Sequence, residues 1–365
     1  MKMLSSLVEH TRSKIAGTIR NPGLIMKMPR ELFILLIMLG VVGLLPIFLH
    51  DNLVIMHILI MSLIWGVVAA AWDLMMGFAG IFTFGQVAFF AIGAYTSGML
   101  TTHLGISPWL GILAGGITVG LAGILISLPC LRLKGTYIAL VTFALHLILA
   151  PLFLSDLGRA IGPGGSLGLL YIPPIQLGGY TFSAFDKVPW FYVALAISFL
   201  SLFAIYKIIH SSSGLAFIAL RDAEPLAKSA GIDDYKFKVI VFGVTSFFTG
   251  IIGAFYVHYV GIASVKILGL DVFLLLMVMI IIGGMGRFPG AVIGSFIVTF
   301  LNYLLRPTDH IRFIIFGAIV VVLVVLMPGG LMGVLFPTAR VGPAERFRQL
   351  VRRSFGRRTD EEKMG

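Results

Sequence analysis

"LFILLIMLGVVGLLPIFL" (residues 32–49) is an apolar run without a charge. At 1.5 Å rise per residue such a helix is about 27 Å long, close to the roughly 30 Å hydrocarbon layer of a bilayer. The pattern recurs. Tyr192–Ile205, the centre of the run 190–209, is of the same kind, Ile311–Met327 differs by the single charge of Arg312, and further apolar runs cover 53–72, 77–100, 109–129, 136–154, 239–260, 270–285 and 289–305. The sequence therefore predicts an all-α polytopic membrane protein with about ten transmembrane helices (roughly 8–11). The run at 77–100 is rich in glycine and is expected to be broken or re-entrant.

Composition agrees. The 365 residues are 58% hydrophobic and 12% charged, with a mean hydropathy of +1.03. A soluble domain carries about 25% charged residues, so most of this surface is expected to meet the lipid bilayer. The net charge of +11 does not point to nucleic acid, because no basic face is interleaved with stacking aromatics. Cys130 is the single cysteine, which excludes an intrachain disulfide and a cysteine-rich metal site. His57, His146 and His258 lie in apolar runs without ligand spacing and read as hydrogen-bonded packing residues. No phosphate-binding loop, nucleophile elbow or HExxH occurs. No catalytic residue, metal or cofactor is expected in this chain.

Charge sets the orientation. Cytoplasmic loops retain Lys and Arg. A basic tail (1–30), the Arg132–Lys134 link, the 210–238 loop and an Arg-rich tail (339–365) all fall on one side if ten spans are counted between 31 and 338. Both termini are then cytoplasmic, and the 155–189 loop is extracytoplasmic. The tight 306–312 turn, with Arg306 and Arg312, is the exception.

Two glycine-rich stretches stand out. "MGFAGIFTFGQVAFFAIGAY" (76–95) crowds glycines beside Gln86, just after Asp73. Broken helices near the midplane are where transporters hold substrates. Asp73, Gly77, Gly80, Thr83, Gly85 and Gln86 are therefore candidates for the translocation pathway. The alternative is tight packing around a satisfied interfacial Asp. "GGMGRFPGAVIG" (283–294) fails the dinucleotide fingerprint, since Pro289 stands where the third glycine belongs. Gly286, Gly290 and Gly294 are four apart and are expected to let helices approach closely.

One compact charged segment remains: "LRDAEPLAKSAGID" (220–233). Leu215, Ala219, Ala223, Leu226 and Ala230 recur at helical spacing. Asp222 is a plausible N-cap and Gly231 a plausible stop. Pro225 is tolerated in a first turn. One or two short amphipathic helices are expected, with Arg221, Glu224 and Ala227 on one face. They either dock a cytoplasmic partner or lie on lipid headgroups. The mixed charge disfavours anionic lipid as the main target.

These stretches resemble the permease subunits of bacterial branched-chain amino acid ABC transporters, of the LivM type. "GFAGIFTFGQVAFFAIGAYTSGML" (77–100), "LRLKGTYIALVTFAL" (131–145), "GPGGSLGL" (162–169), "IIGGMGRFPGAVIGS" (281–295) and "MPGGLMGVLF" (327–336) carry the likeness. The most specific match is 211–254, similar to the EAA-type loop by which such permeases meet their ATPases. Gly214, Arg221, Glu224, Ala227 and Gly231 match that loop motif, and Pro225 departs from it. The resemblance implies inward transport of branched-chain amino acids across a bacterial plasma (inner) membrane by alternating access. It also implies a second homologous permease subunit, two ATP-binding subunits that hold the ATP, and an extracytoplasmic substrate-binding protein. Urea or short amides are the rival substrates. An ion-coupled secondary transporter would need buried acids that the sequence scarcely offers.

Overall fold

A computed structural model of the protein describes residues 30–133, 135–156, 168–183, 185–306, 311–326 and 329–335. The expected basic tails, apart from Arg30, lie outside the described residues. So do Lys134, residues 162–167 of the outer glycine loop, and 307–310 of the 306–312 turn.

Each predicted apolar run contains a helix, and six of these helices, among the described residues, are long and apolar enough to cross a membrane. In order the helices are α1 (Arg30–Leu49), α2 (Leu53–Asp73), α3 (Gln86–Leu104), α4 (Pro108–Cys130), α5 (Thr136–Leu154), α6 (Lys187–Ile209), α7 (Ser212–Ser229), α8 (Asp234–Val260), α9 (Leu270–Gly283), α10 (Gly290–Leu304), α11 (Ile311–Leu326) and the short α12 (Gly330–Leu335). Of these, α7 is the charged segment rather than an apolar run. A small antiparallel hairpin, β1 (Gln176–Leu177) and β2 (Tyr180–Thr181), pairs Gln176 with Thr181. The chain is an all-α polytopic membrane protein. Local chemistry sets the helix ends. The Asn52 side chain accepts from the amides of Val54 and Ile55 at the start of α2, and Gly105 and Gly261 end α3 and α8 in the left-handed region.

Helices α2 and α8 form the centre, each with about two thirds of its apolar span buried. Lipid tails are as apolar as leucine, so helices in a bilayer associate through close packing rather than hydrophobic drive. Small residues supply it here. A Cβ on Gly115 of α4 would sit 2.9 Å from the Ala254 Cβ of α8 and 3.0 Å from the Gly93 carbonyl of α3. On the outside, Phe48, Leu121, Leu125, Leu140 and Ile148 are exposed, as a lipid-facing surface requires.

Contacts between loops separate two ends. Glu31 meets His210 at 3.2 Å, joining the start of α1 to the end of α6, just before α7. At the opposite end the Trp109 indole donates to the Gln176 carbonyl at 2.9 Å, and Leu169 bridges to Ala263. The 210–233 segment and the described part of the 155–189 loop are therefore at opposite ends of the bundle.

Candidate translocation and coupling site

The third apolar run does not begin as a helix. After α2 a π-helical turn (Leu74–Phe78) follows, then irregular backbone as far as Gly85, and α3 starts at Gln86. Irregular backbone at membrane depth persists only where its polar groups find partners. They do. The Ala79 amide donates to Leu74 O and that of Ile81 to Met75 O, each at 3.0 Å. The Phe84 amide donates to Thr142 Oγ1 at 2.9 Å. The Thr83 carbonyl accepts from the Trp72 indole at 2.7 Å. Gly80 adopts φ +70°, a conformation open to glycine at little cost.

The break is held from below by two distant segments. Buried Asp73 accepts from the Gly286 amide at 2.7 Å. A Cβ at Gly77 would collide with Asp73 Oδ1 and with the Gly286 backbone, so Gly77 is where the two strips of chain touch. The Gly77 carbonyl also accepts from the Arg221 guanidinium, which reaches in from α7. The aliphatic stem of Arg221 lies on Gly80, where a Cβ would be 2.5 Å from Arg221 Cγ. Its Nε donates to Asp222 at 2.9 Å. The Arg221 side chain is 20% exposed. Asp73, Gly77, Gly80, Arg221 and Gly286 thus form one continuous contact. At the far end of the break, Gln86 is fully buried. Its amide donates to the Thr245 carbonyl at 3.3 Å and to Thr249 Oγ1, and its Oε1 has no hydrogen-bond partner among the described residues. Gly85 caps α3, with Thr142 beside it.

Several predicted residues land elsewhere than their spacing suggests. Arg221, Glu224 and Ala227 do not share a face, because α7 breaks at Ala223 (φ −154°, ψ 68°). The joint falls one residue after Asp222, whose carboxylate is occupied by Arg221 rather than by a helix cap. Glu224 faces its own chain. It pairs with Lys228 at 2.6 Å, and Lys228 and Lys238 both reach Asp234, at 3.0 and 2.5 Å. Hydrogen bonds to Glu224 and Asp234 raise the Lys228 pKa. Ala227 is buried within this chain, where its carbonyl accepts from Ala230 and Ile232. Gly231 stops the helix at φ +85°. Gly214 lies in the first turn of α7, against the carbonyls of Ile208 and Ile209. Gly286 is not part of a helix stripe, since it occupies the α9–α10 turn at φ +69°. Gly290 and Gly294 do lie on α10, pressed on Gly283 and the Met279 carbonyl of α9.

The two leucines of the expected apolar stripe are not buried. Leu226 and Leu215 are 71% and 67% exposed on α7. The stripe pattern places them on one face of one or two short helices, and a large leucine in an otherwise charged loop is the sequence signal that could have marked them as candidates for a docking surface. Two of the histidines are packed as expected. His57 bonds the Tyr259 hydroxyl at 2.6 Å, and His258 lies between Ser97 and the Pro173 carbonyl, 2.8 Å from each. His146 is buried with neither ring nitrogen partnered among the described residues.

The family described as "Branched-chain amino acid transport system / permease component" matches residues 54–333. Two curated relatives, from Salmonella typhimurium and Escherichia coli K12, are each a high-affinity branched-chain amino acid transport system permease protein LivM. They are 27% and 26% identical over 299 residues, which is 77% of this chain and 70% of each relative. No solved structure matches the chain.

Proposed function

The chain belongs to the branched-chain amino acid transport permease family, and we propose that it is the membrane-spanning subunit of an ATP-driven importer of leucine, isoleucine and valine. A zwitterion cannot cross hydrocarbon unaided, because unpaired charges there cost several kcal/mol. Alternating access around a polar break in the membrane removes that barrier. The energy comes from outside the chain. Two ATP-binding subunits hold the ATP, so this subunit is not an enzyme and carries no cofactor. A second homologous permease completes the membrane unit, and an extracytoplasmic binding protein delivers the substrate. In this reading the protein spans the bacterial plasma (inner) membrane, with both tails (1–30 and 339–365) and the 210–238 loop in the cytoplasm.

One observation carries the mechanism: Arg221, on the loop proposed to meet the ATPase, is bonded to Gly77 in the broken segment. The outer half of α7, with exposed Leu226, is the docking piece. The Ala223 joint separates it from the inner half, whose Phe217 and Leu220 are buried. A push on the docking piece then reaches the break through Arg221, and the Asp73–Gly286 bond passes it to the α9–α10 turn. The segment from Gly77 to Gln86 borders the pathway in this scheme, with the free Gln86 Oε1 as an acceptor for the substrate's ammonium.

The test is radiolabelled leucine uptake in cells with and without this chain, its sister permease and ATPases being present in both. Uptake that depends on the chain supports the reading, and equal uptake in both strains overturns it. Orientation is read separately on a Cys130→Ser background. A cysteine placed at Ser213 is expected to resist an impermeant thiol reagent added from outside.

A further inference from the structure

Arg306 is one of the basic residues that lie at the outward end against the charge rule. It stands at a cavity of about 160 Å³ between α2 and α10. That is far more than the ~10–15 Å³ a single water needs. The Arg306 guanidinium lies over the Tyr303 ring, 5.9 Å from its centre, which holds it at the cavity. Thr299 and Asn302 line the same wall. Thr299 Oγ1 and Asn302 Oδ1 are both buried, and neither has a hydrogen-bond partner among the described residues. The opposite wall comes from His57, Ile58, Met61 and Trp65 of α2, and of these the one polar group, the His57 ring, is already bonded to the Tyr259 hydroxyl at 2.6 Å.

The Thr299 hydroxyl is the informative atom. A threonine inside a helix ordinarily returns its hydroxyl to the carbonyl one turn back. Thr101, Thr142, Thr245 and Thr249 all do so here, at 2.7–2.9 Å. Thr299 is 8% exposed and does not. A buried polar atom without a partner costs free energy and calls for an explanation. The cavity combines one cation, two free oxygen acceptors and an aliphatic–aromatic wall. A small zwitterion with an apolar branch satisfies all three at once. Its carboxylate pairs with the Arg306 fork, its ammonium donates to Thr299 Oγ1 and Asn302 Oδ1, and its side chain lies on Met61 and Trp65.

We propose that this cavity is an outward-facing subsite for the substrate amino acid, occupied before the substrate reaches the break beside Gln86. The proposal rests on the import reading above. A phosphatidylethanolamine headgroup offers the same pairing of anion and ammonium, so the test separates the two sources.

The assembled transporter, purified without its binding protein and placed in phosphatidylcholine nanodiscs, is titrated with tritiated leucine. Saturable binding is expected. Arg306→Gln should weaken it at least about tenfold and Thr299→Val about three- to tenfold, the range for a lost charged and a lost neutral hydrogen bond. 4-Methylpentanoate lacks the ammonium and 3-methylbutylamine lacks the carboxylate, so neither should displace leucine. O-Phosphoethanolamine, the headgroup probe, should not displace it either. Thr299→Val is nearly isosteric and Arg306 is exposed, so both variants should melt with the wild type. Absence of saturable binding, equal affinity in both variants, or displacement by phosphoethanolamine would each overturn the proposal. Whole-cell leucine uptake that still depends on the chain would leave the import reading standing in every one of these cases.

Discussion

Arg221 and Arg306 sit at opposite ends of one bundle, and their surroundings are opposites too. Arg221 is threaded between glycines, and its guanidinium is bonded to the Gly77 carbonyl and the Asp222 carboxylate. Arg306 stands beside two buried oxygens that have no partner among the described residues. A charged group whose neighbours are already satisfied has nothing left to offer a ligand, but it transmits force, because displacing it breaks bonds. A charged group beside free acceptors is poised for a ligand. The inner arginine therefore reads as a strut and the outer one as part of a receptor.

The strut half of that contrast is open to attack at its tightest point. Gly77→Val forces carbon into the space held by Asp73 and the Gly286 backbone. Overpacking costs about 1–3 kcal/mol, and an orphaned buried amide at Gly286 adds about 1–3 kcal/mol. Leucine uptake should be lost and the purified transporter should melt many degrees lower. Gly40→Ala, where a Cβ meets nothing within 4 Å, should change neither. If Gly77→Val transports normally, the Asp73–Gly77–Gly286 contact is incidental.

Arg221→Met tests the strut itself, since it keeps the aliphatic stem over Gly80 and removes the fork. A hydrogen bond to a charged group contributes about 1.5–3 kcal/mol. Uptake should fall about tenfold or more while the ATPase subunits still co-purify and still hydrolyse ATP. Uptake within about twofold of wild type would show that the push takes another route.

Leu226→Asp addresses the docking piece beyond the Ala223 joint. Burying a leucine contributes about 1.5–3 kcal/mol, so ATPase co-purification should drop about tenfold with the membrane domain intact. Undiminished recovery of the ATPase would return α7 to the alternative of a helix lying on headgroups.

The smallest effect belongs to the charged network of the same loop. Glu224→Gln removes only exposed ion pairs, which solvent and salt screen, and transport should be nearly unchanged. The Lys228 pKa is raised by Glu224 and Asp234. Its contribution is complete below the unfolded value near 10.4 and is lost only as pH rises through the folded one. Coupling measured from pH 7 to 9 should therefore be flat, and a decline across that window would contradict the pairing of Lys228.

The sequence alone determined the all-α polytopic class, the places where apolar helices form and a break within the run 77–100; of those helices, six among the described residues are long and apolar enough to cross a membrane. The reason is that these are local properties: an apolar run of bilayer length has few alternatives in lipid, and glycine clusters weaken a helix wherever they occur. It also identified the residue types of the charged 210–238 loop. It could not determine their directions. The rule that residues three apart share a face assumes an unbroken helix, and Ala223 breaks it, sending Arg221 inward while Glu224 pairs across the loop. The partners of Arg221 and Asp73 lie 144 and 213 residues away, beyond any local pattern. The same holds for Gly286, read from spacing as part of a helix stripe and found in a turn beneath Asp73. Thr299 marks the limit most plainly. A threonine in an apolar helix is expected to bond its own backbone, and no local pattern says that this one, in the cavity wall between α10 and α2, has a hydroxyl without a hydrogen-bond partner among the described residues, because a missing partner is a property of the whole fold.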